Sequence, residues 1–116
     1  ITGEHLPHFF CCGKQTHIDA AVGLEIYGDV ALLRSLAVAA PRRGTGLATR
    51  LVEHAECYAH CKGVRSVFLL TATAEKFFSR VGYLQTPRAE APRAIQETRE
   101  FSSICPETAA FMVKHL

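Results

Sequence analysis

Leu33-Arg34-Ser35-Leu36-Ala37-Val38-Ala39-Ala40-Pro41-Arg42-Arg43-Gly44-Thr45-Gly46-Leu47-Ala48-Thr49-Arg50-Leu51-Val52 is the stretch on which the reading of this chain turns. It reads as an apolar strand, a proline-marked turn, a basic glycine-rich loop and an amphipathic helix. A strand that enters a helix through such a loop leaves the first backbone N–H groups of the helix without intrahelical partners, all pointing one way. Together with the positive end of the helix dipole they form a receptor for an anion, most simply a phosphate. Gly44 and Gly46 allow a tight turn and a close approach of ligand to backbone. Arg43 adds a fixed cation beside them.

Two common phosphate loops fit poorly. A P-loop requires Gly-Lys followed by Ser or Thr, and no lysine follows these glycines. A dinucleotide fingerprint requires a small third residue where Gly44-Thr45-Gly46-Leu47-Ala48-Thr49 has Thr49. Arg43-Gly44-Thr45-Gly46-Leu47-Ala48 instead resembles the Arg/Gln-x-x-Gly-x-Gly/Ala motif of the GNAT acyltransferase superfamily. The preceding Leu-Ala-Val strand and Pro41 stand where that superfamily has them. A second segment, Thr73-Ala74-Glu75-Lys76-Phe77-Phe78-Ser79-Arg80-Val81-Gly82-Tyr83, resembles its Ala-x-x-Phe-Tyr-x-x-x-Gly-Phe pattern. Leu-Thr-x-Thr-Ala-Glu-x-Phe-Phe, Ala-Pro-x-Ala-Ile-x-x-x-Arg-Glu-Phe, Cys-Pro and Met112 are similar to small acetyltransferases encoded with arsenic-resistance genes and related to amino-acid N-acetyltransferases. Without a ligand, the same loop would be only a turn before a capped helix.

Outward from that stretch, composition bounds the answer. The 116 residues suffice for one domain, 1–116, with one core. Hydrophobic content of 48% and charged content of 21% are those of a soluble globular protein. A net charge of +2 with scattered arginines argues against nucleic acid. No apolar run is long enough to span a bilayer, and no signal peptide is visible. Five cysteines without framework spacing point to reduced thiols and a cytoplasmic setting.

Period-two alternation gives strands at His8–Cys12, Ile18–Tyr27 and Val30–Ala39, with a tight turn at Gly28-Asp29. Apolar residues at spacings of three and four (Leu47, Leu51, Ala55, Tyr58, Ala59) predict a helix over Gly44–Lys62, ended by Gly63. Val64–Thr71 reads as a central strand, Ala74–Arg80 as a short helix capped by Thr73, Ala91–Glu100 as a helix and Ala109–Val113 as a last strand. The fold class expected is α+β (α/β): a mixed, mostly antiparallel central sheet flanked by helices, in the GNAT manner. That fold opens with a strand and one or two helices ahead of the hairpin, whereas about seven residues precede the first strand found here. Either those elements are missing from this chain or they are too weak to see. A sheet deprived of them would expose apolar surface, so a homodimer is expected.

The resemblance implies transfer of acetyl from acetyl-CoA to the amine of a small molecule, an amino acid or an analogue, by direct attack. It implies contacts to CoA from Leu36, Val38, Arg43, Gly44, Thr45, Gly46, Leu47 and Ala48, with Thr73 and Phe78 beside the carrier. A backbone N–H at the splayed end of Leu36-Ala37-Val38 would polarise the thioester carbonyl. Glu25, on the strand face opposite Val22, Leu24 and Ile26, is the candidate base; the competing reading is a strand glutamate paired with Arg34. The tyrosine that protonates the thiolate in many relatives is replaced by Phe78, leaving Tyr83, Tyr58 or water. Thr71 stands within reach of CoA or the acceptor, and Arg42, Arg93 and Arg99 are available to anions. His54, Cys57, His60 and Cys61 are read as packing or solvated residues rather than ligands, and no metal is expected. The reading from another class is a CoA-binding module without turnover, acting as an oligomeric interaction protein.

Overall fold

The computed structural model describes residues 8–14, 17–38, 46–72, 74–97 and 109–116. In chain order the elements are β1 (His8–Lys14), β2 (His17–Tyr27), β3 (Val30–Val38), α1 (Leu47–Cys61), β4 (Ser66–Thr71), α2 (Glu75–Arg80), β5 (Leu84–Gln85), a 3-10 turn (Arg88–Glu90), α3 (Arg93–Gln96) and β6 (Ala110–His115). The strands form one sheet in the order β1-β2-β3-β4-β6-β5. Every pairing is antiparallel except β3 with β4. Parallel neighbours need a long crossover, and α1 supplies it. The fold is thus the expected mixed sheet flanked by helices.

The two faces of the sheet carry separate cores, as period-two strands require. Val22 and Leu24 of β2, Ala31 and Leu33 of β3, and Val67 and Leu69 of β4 pack against Leu47, Leu51, Val52, Ala55 and Ala59 of α1. Leu32, Phe68, Phe111 and Val113 on the other face pack against Ala91 and Ile95. The Phe68 and Phe111 rings stack there at 5.5 Å. β4 is therefore covered on both sides, which explains its unbroken apolar run.

Boundaries shift for local reasons. Gly63, at φ 89, stops α1 as expected: its N–H bonds to the carbonyl of His60 and that of Val64 to Ala59. The expected cap Thr73 lies outside the described residues. Thr71 takes the Ala74 N–H on its Oγ1 at 2.9 Å, so it holds the start of α2. The helix expected over Ala91–Glu100 is described only as Arg93–Gln96, and β5 was not foreseen because two residues carry no periodicity. Tyr58 is half-buried rather than fully in the α1 stripe, its ring edge-on to Phe10 at 5.2 Å.

Candidate active site

Two irregularities in β3 shape the site. The β3–β4 ladder runs from Val30–Ser66 to Leu33–Leu69 and stops, although β3 continues to Val38 and β4 to Thr71. β4 keeps its other neighbour throughout, pairing Leu70 with Phe111 and Thr71 with Ala110. The sheet thus forks between β3 and β4 at the carboxyl ends of both strands. Open α/β sheets bind ligands outside such strand ends. On the other side of β3, Ala21 pairs with Ala37 and Gly23 with Arg34, so Val22 alone faces both Ser35 and Leu36. This extra residue is a β-bulge, a feature that re-aims backbone groups.

Helix α1 begins at the same end, because a β3–α1–β4 crossover starts where β3 finishes. Its N-cap, Gly46, sits at φ 82, a left-handed conformation that favours glycine, and no side chain caps the helix. A Cβ added to Gly46 would meet nothing within 4 Å. No acidic residue stands in the first turn, where one would complement the dipole. The first described bond of the helix runs from the Arg50 N–H to the Gly46 carbonyl. Leu47 is buried and Ala48 half-buried, so the group each can offer a ligand is its backbone N–H. Arg42, Arg43, Gly44, Thr45, Thr73 and Arg99 lie outside the described residues. Leu36 and Val38 stand on the free limb of the fork.

The candidate acids and bases separate clearly. Glu25 is buried, with Oε1 taking the Tyr27 hydroxyl hydrogen at 2.5 Å and Oε2 bonded by the Arg34 guanidinium. The ion pair weighed as its alternative role is therefore present. Tyr58 stands twelve residues along α1 from Gly46, roughly 18 Å from the helix start at 1.5 Å per residue, too far to serve a leaving group at the fork. Tyr83 is buried under α2, its ring edge-on to Phe78 at 5.5 Å. Burial, and then the charge of the Glu56 carboxylate beside it, push its phenol far above the usual tyrosine range. It is a poor proton donor to a thiolate. Phe78, read from the sequence as a core residue that also packs beside the carrier, is in the core at 5% exposure because the inner side of α2 turns it there.

Tyr83 belongs to a second polar cluster that sequence reading missed. Lys114 Nζ donates to Glu56 Oε1 at 2.9 Å and to the Val81 carbonyl at 3.0 Å, and lies 5.9 Å from the Tyr83 ring centre. The Tyr83 hydroxyl and Glu56 Oε2 are buried without a hydrogen bond of good geometry among the described residues. One signal was available: Glu56 falls on the buried stripe of α1, four residues after Val52 and three before Ala59. Above pH about 10 the unfolded chain loses the tyrosine proton that the folded chain keeps, so stability falls as pH rises, by at most about 1.4 kcal/mol per pH unit for this group. Urea unfolding of Tyr83→Phe between pH 8 and 11 (on the order of the tyrosine range) should show a shallower alkaline decline than the parent. An identical decline would place the phenol in contact with water.

The model of the acetyltransferase (GNAT) domain matches residues 6–85. The chain belongs to the GNAT family. Relatives of this GNAT chain include an uncharacterized N-acetyltransferase of Chlorobaculum tepidum, 33% identical over 93 residues, which cover 79% of this chain and 59% of that protein. Among solved structures, N-acetylglutamate synthase from Neisseria gonorrhoeae, complexed with coenzyme A and N-acetyl-glutamate, superposes with a TM-score of 0.83 at 18% identity, covering 99% of this chain and 27% of that one. A GNAT acetyltransferase from Staphylococcus aureus MU50 gives 0.78 at 16% identity, over 99% of this chain and 73% of the other. At such identities the structures establish the GNAT fold, and this chain spans just over half of the curated relative's length.

Proposed function

We propose that the chain binds acetyl-CoA in the β3–β4 fork and transfers the acetyl group to the amine of a small molecule, an amino acid or an analogue. The fork carries this reading: it opens beside an uncapped helix start, so one extended ligand can meet strand edge and helix amides together. The pantetheine arm would lie along Leu36 and Val38, and the diphosphate would take the N–H groups of Arg43 to Ala48 with the Arg43 guanidinium. Thr73 follows the β4 limb. The gonococcal synthase, solved with CoA and an acetylated amino acid, supports the amino-acid class.

In the reaction the amine nitrogen attacks the thioester carbonyl, a backbone N–H at the bulge stabilises the developing oxyanion, and the carbon–sulfur bond breaks. A thiolate whose conjugate thiol has a pKa near 8.5 leaves without a tyrosine acid and takes its proton from water. Glu25 accepts the proton of the amine through a water, because its side chain is 8% exposed. Glu25→Gln should lower kcat roughly 100-fold or more and flatten the pH profile; unchanged kinetics would remove Glu25 from the chemistry. Calorimetry should show one acetyl-CoA per chain, and thiol release with a panel of amines should follow. Binding without release would leave a CoA-binding module, and no binding would end the assignment. We also propose a cytoplasmic homodimer; light scattering at micromolar concentration that returns a monomer would refute the dimer.

A further inference from the structure

We infer that Arg34 is the receptor for an acceptor carboxylate, and that Glu25, Arg34 and Tyr27 together read the paired charges of an α-amino acid; this rests on the acetyl-transfer reading above. Arg34 occupies a singular place in the sheet. It forms the last pair with β2 before the bulge, and it follows Leu33, the last residue of β3 that pairs with β4. Its backbone therefore marks the root of the fork. Its side chain lies on the face opposite α1, the face of Glu25 and of Tyr27, which packs against the Leu32–Phe68 core. Gly23 stands directly across from it on β2, so the neighbouring strand brings no side chain to crowd the arginine.

The guanidinium is held in place and still reachable. The Arg34 side chain is 30% exposed where that of Glu25 is 8% exposed. Glu25 is fixed in turn by the Tyr27 hydroxyl, so the pair is braced from both strands and the hairpin. A planar guanidinium carries five N–H donors in a rigid fork whose geometry matches a carboxylate bidentately. Bracing lowers the ordering cost that a long flexible side chain otherwise pays on binding.

The other described arginines are placed differently. Arg50, Arg65 and Arg80 are exposed on helices and turns. Arg93, considered from sequence for the same role, is 91% exposed and pairs loosely with Glu97 at 3.7 Å on its own helix. Arg88 donates to the Ala109 carbonyl at 3.0 Å. Arg34 alone among them stands at the fork root.

Geometry then links recognition to reaction. In an α-amino acid the amine nitrogen lies about 2.5 Å from the carboxyl carbon. A carboxylate on Arg34 keeps the attached amine at the fork end where the bulge presents its backbone, one residue further along β3. Opposite charges on Glu25 and Arg34 complement the ammonium and carboxylate of the incoming zwitterion. An amine without a carboxylate satisfies only half of that pattern.

The test compares thiol release from acetyl-CoA with L-alanine, L-methionine and L-glutamine, each beside its own α-carboxamide. The parent protein should prefer each acid over its amide in kcat/KM. In Arg34→Met that preference should shrink roughly 10- to 100-fold, the size of a lost charge-assisted bidentate contact, while calorimetric acetyl-CoA affinity holds. The difference in amine basicity between acid and amide cancels between parent and variant. Because Arg34→Met leaves the buried Glu25 without its cation, at a cost in stability, Arg34→Lys is run beside it; a point charge keeps the ion pair but loses the planar fork, and a smaller drop in preference is expected. A parent that shows no preference for the acids, or a folded Arg34 variant that keeps it, overturns the inference. Absence of acetyl-CoA binding by the parent would instead overturn the reading it rests on.

Discussion

Gly46→Val should reduce acetyl-CoA affinity 100-fold or more, on the order of several lost charge-assisted bonds, and leave the fold standing. Gly46 adopts φ 82, and a β-branched residue at that angle costs about 1–2 kcal/mol. That is tolerable for a domain of ordinary stability, about 5–15 kcal/mol. The space before its missing Cβ is open, so the strain does not propagate into the core. The branched side chain would stand where a diphosphate must approach the first helical N–H groups. Circular dichroism should report a folded variant and calorimetry should find no measurable heat with acetyl-CoA. Retained affinity in a folded Gly46→Val would remove the helix start from the binding site.

Lys114→Met should be the most destabilising exchange outside the apolar core. Lys114 neutralises Glu56, whose side chain is 10% exposed, and also ties the Val81 carbonyl at the end of α2. Breaking such a pair leaves a carboxylate buried without its cation, worth about 2–4 kcal/mol here because Lys114 itself keeps 27% exposure. The urea midpoint should fall accordingly. Removing both charges in Glu56→Leu/Lys114→Met should recover most of the loss, since the penalty belongs to the unpaired charge and not to the missing bond. A double variant as unstable as the single one would assign Lys114 a packing role through its alkyl stem.

The order of strands and helices was legible because each long element carries its own period. The β2–β3 hairpin announced itself through Gly28-Asp29, α1 through Leu47, Leu51, Ala55 and Ala59, and β4 through an apolar run that only double coverage explains. Of the loop Arg43, Gly44 and Gly46, only Gly46 lies among the described residues, and it takes the left-handed conformation that glycine permits. Short elements escaped: two residues of β5 and a three-residue 3-10 turn are fixed by their neighbours, not by local pattern. Thr71 holds the Ala74 N–H, a bond that spacing alone does not announce.

The amino-acid sequence alone determined the class of fold, because that follows from local periodicity, and it marked a glycine start to α1, because backbone freedom is written into residue type. Only the tertiary structure decided how far β3 stays paired with β4, and hence where the fork opens. It alone set Arg34 against Glu25 at the fork root, buried Phe78 and Tyr83, and joined Glu56 to Lys114 across 58 residues. Those contacts depend on strand register and on which helix covers which face, and register belongs to the assembled sheet.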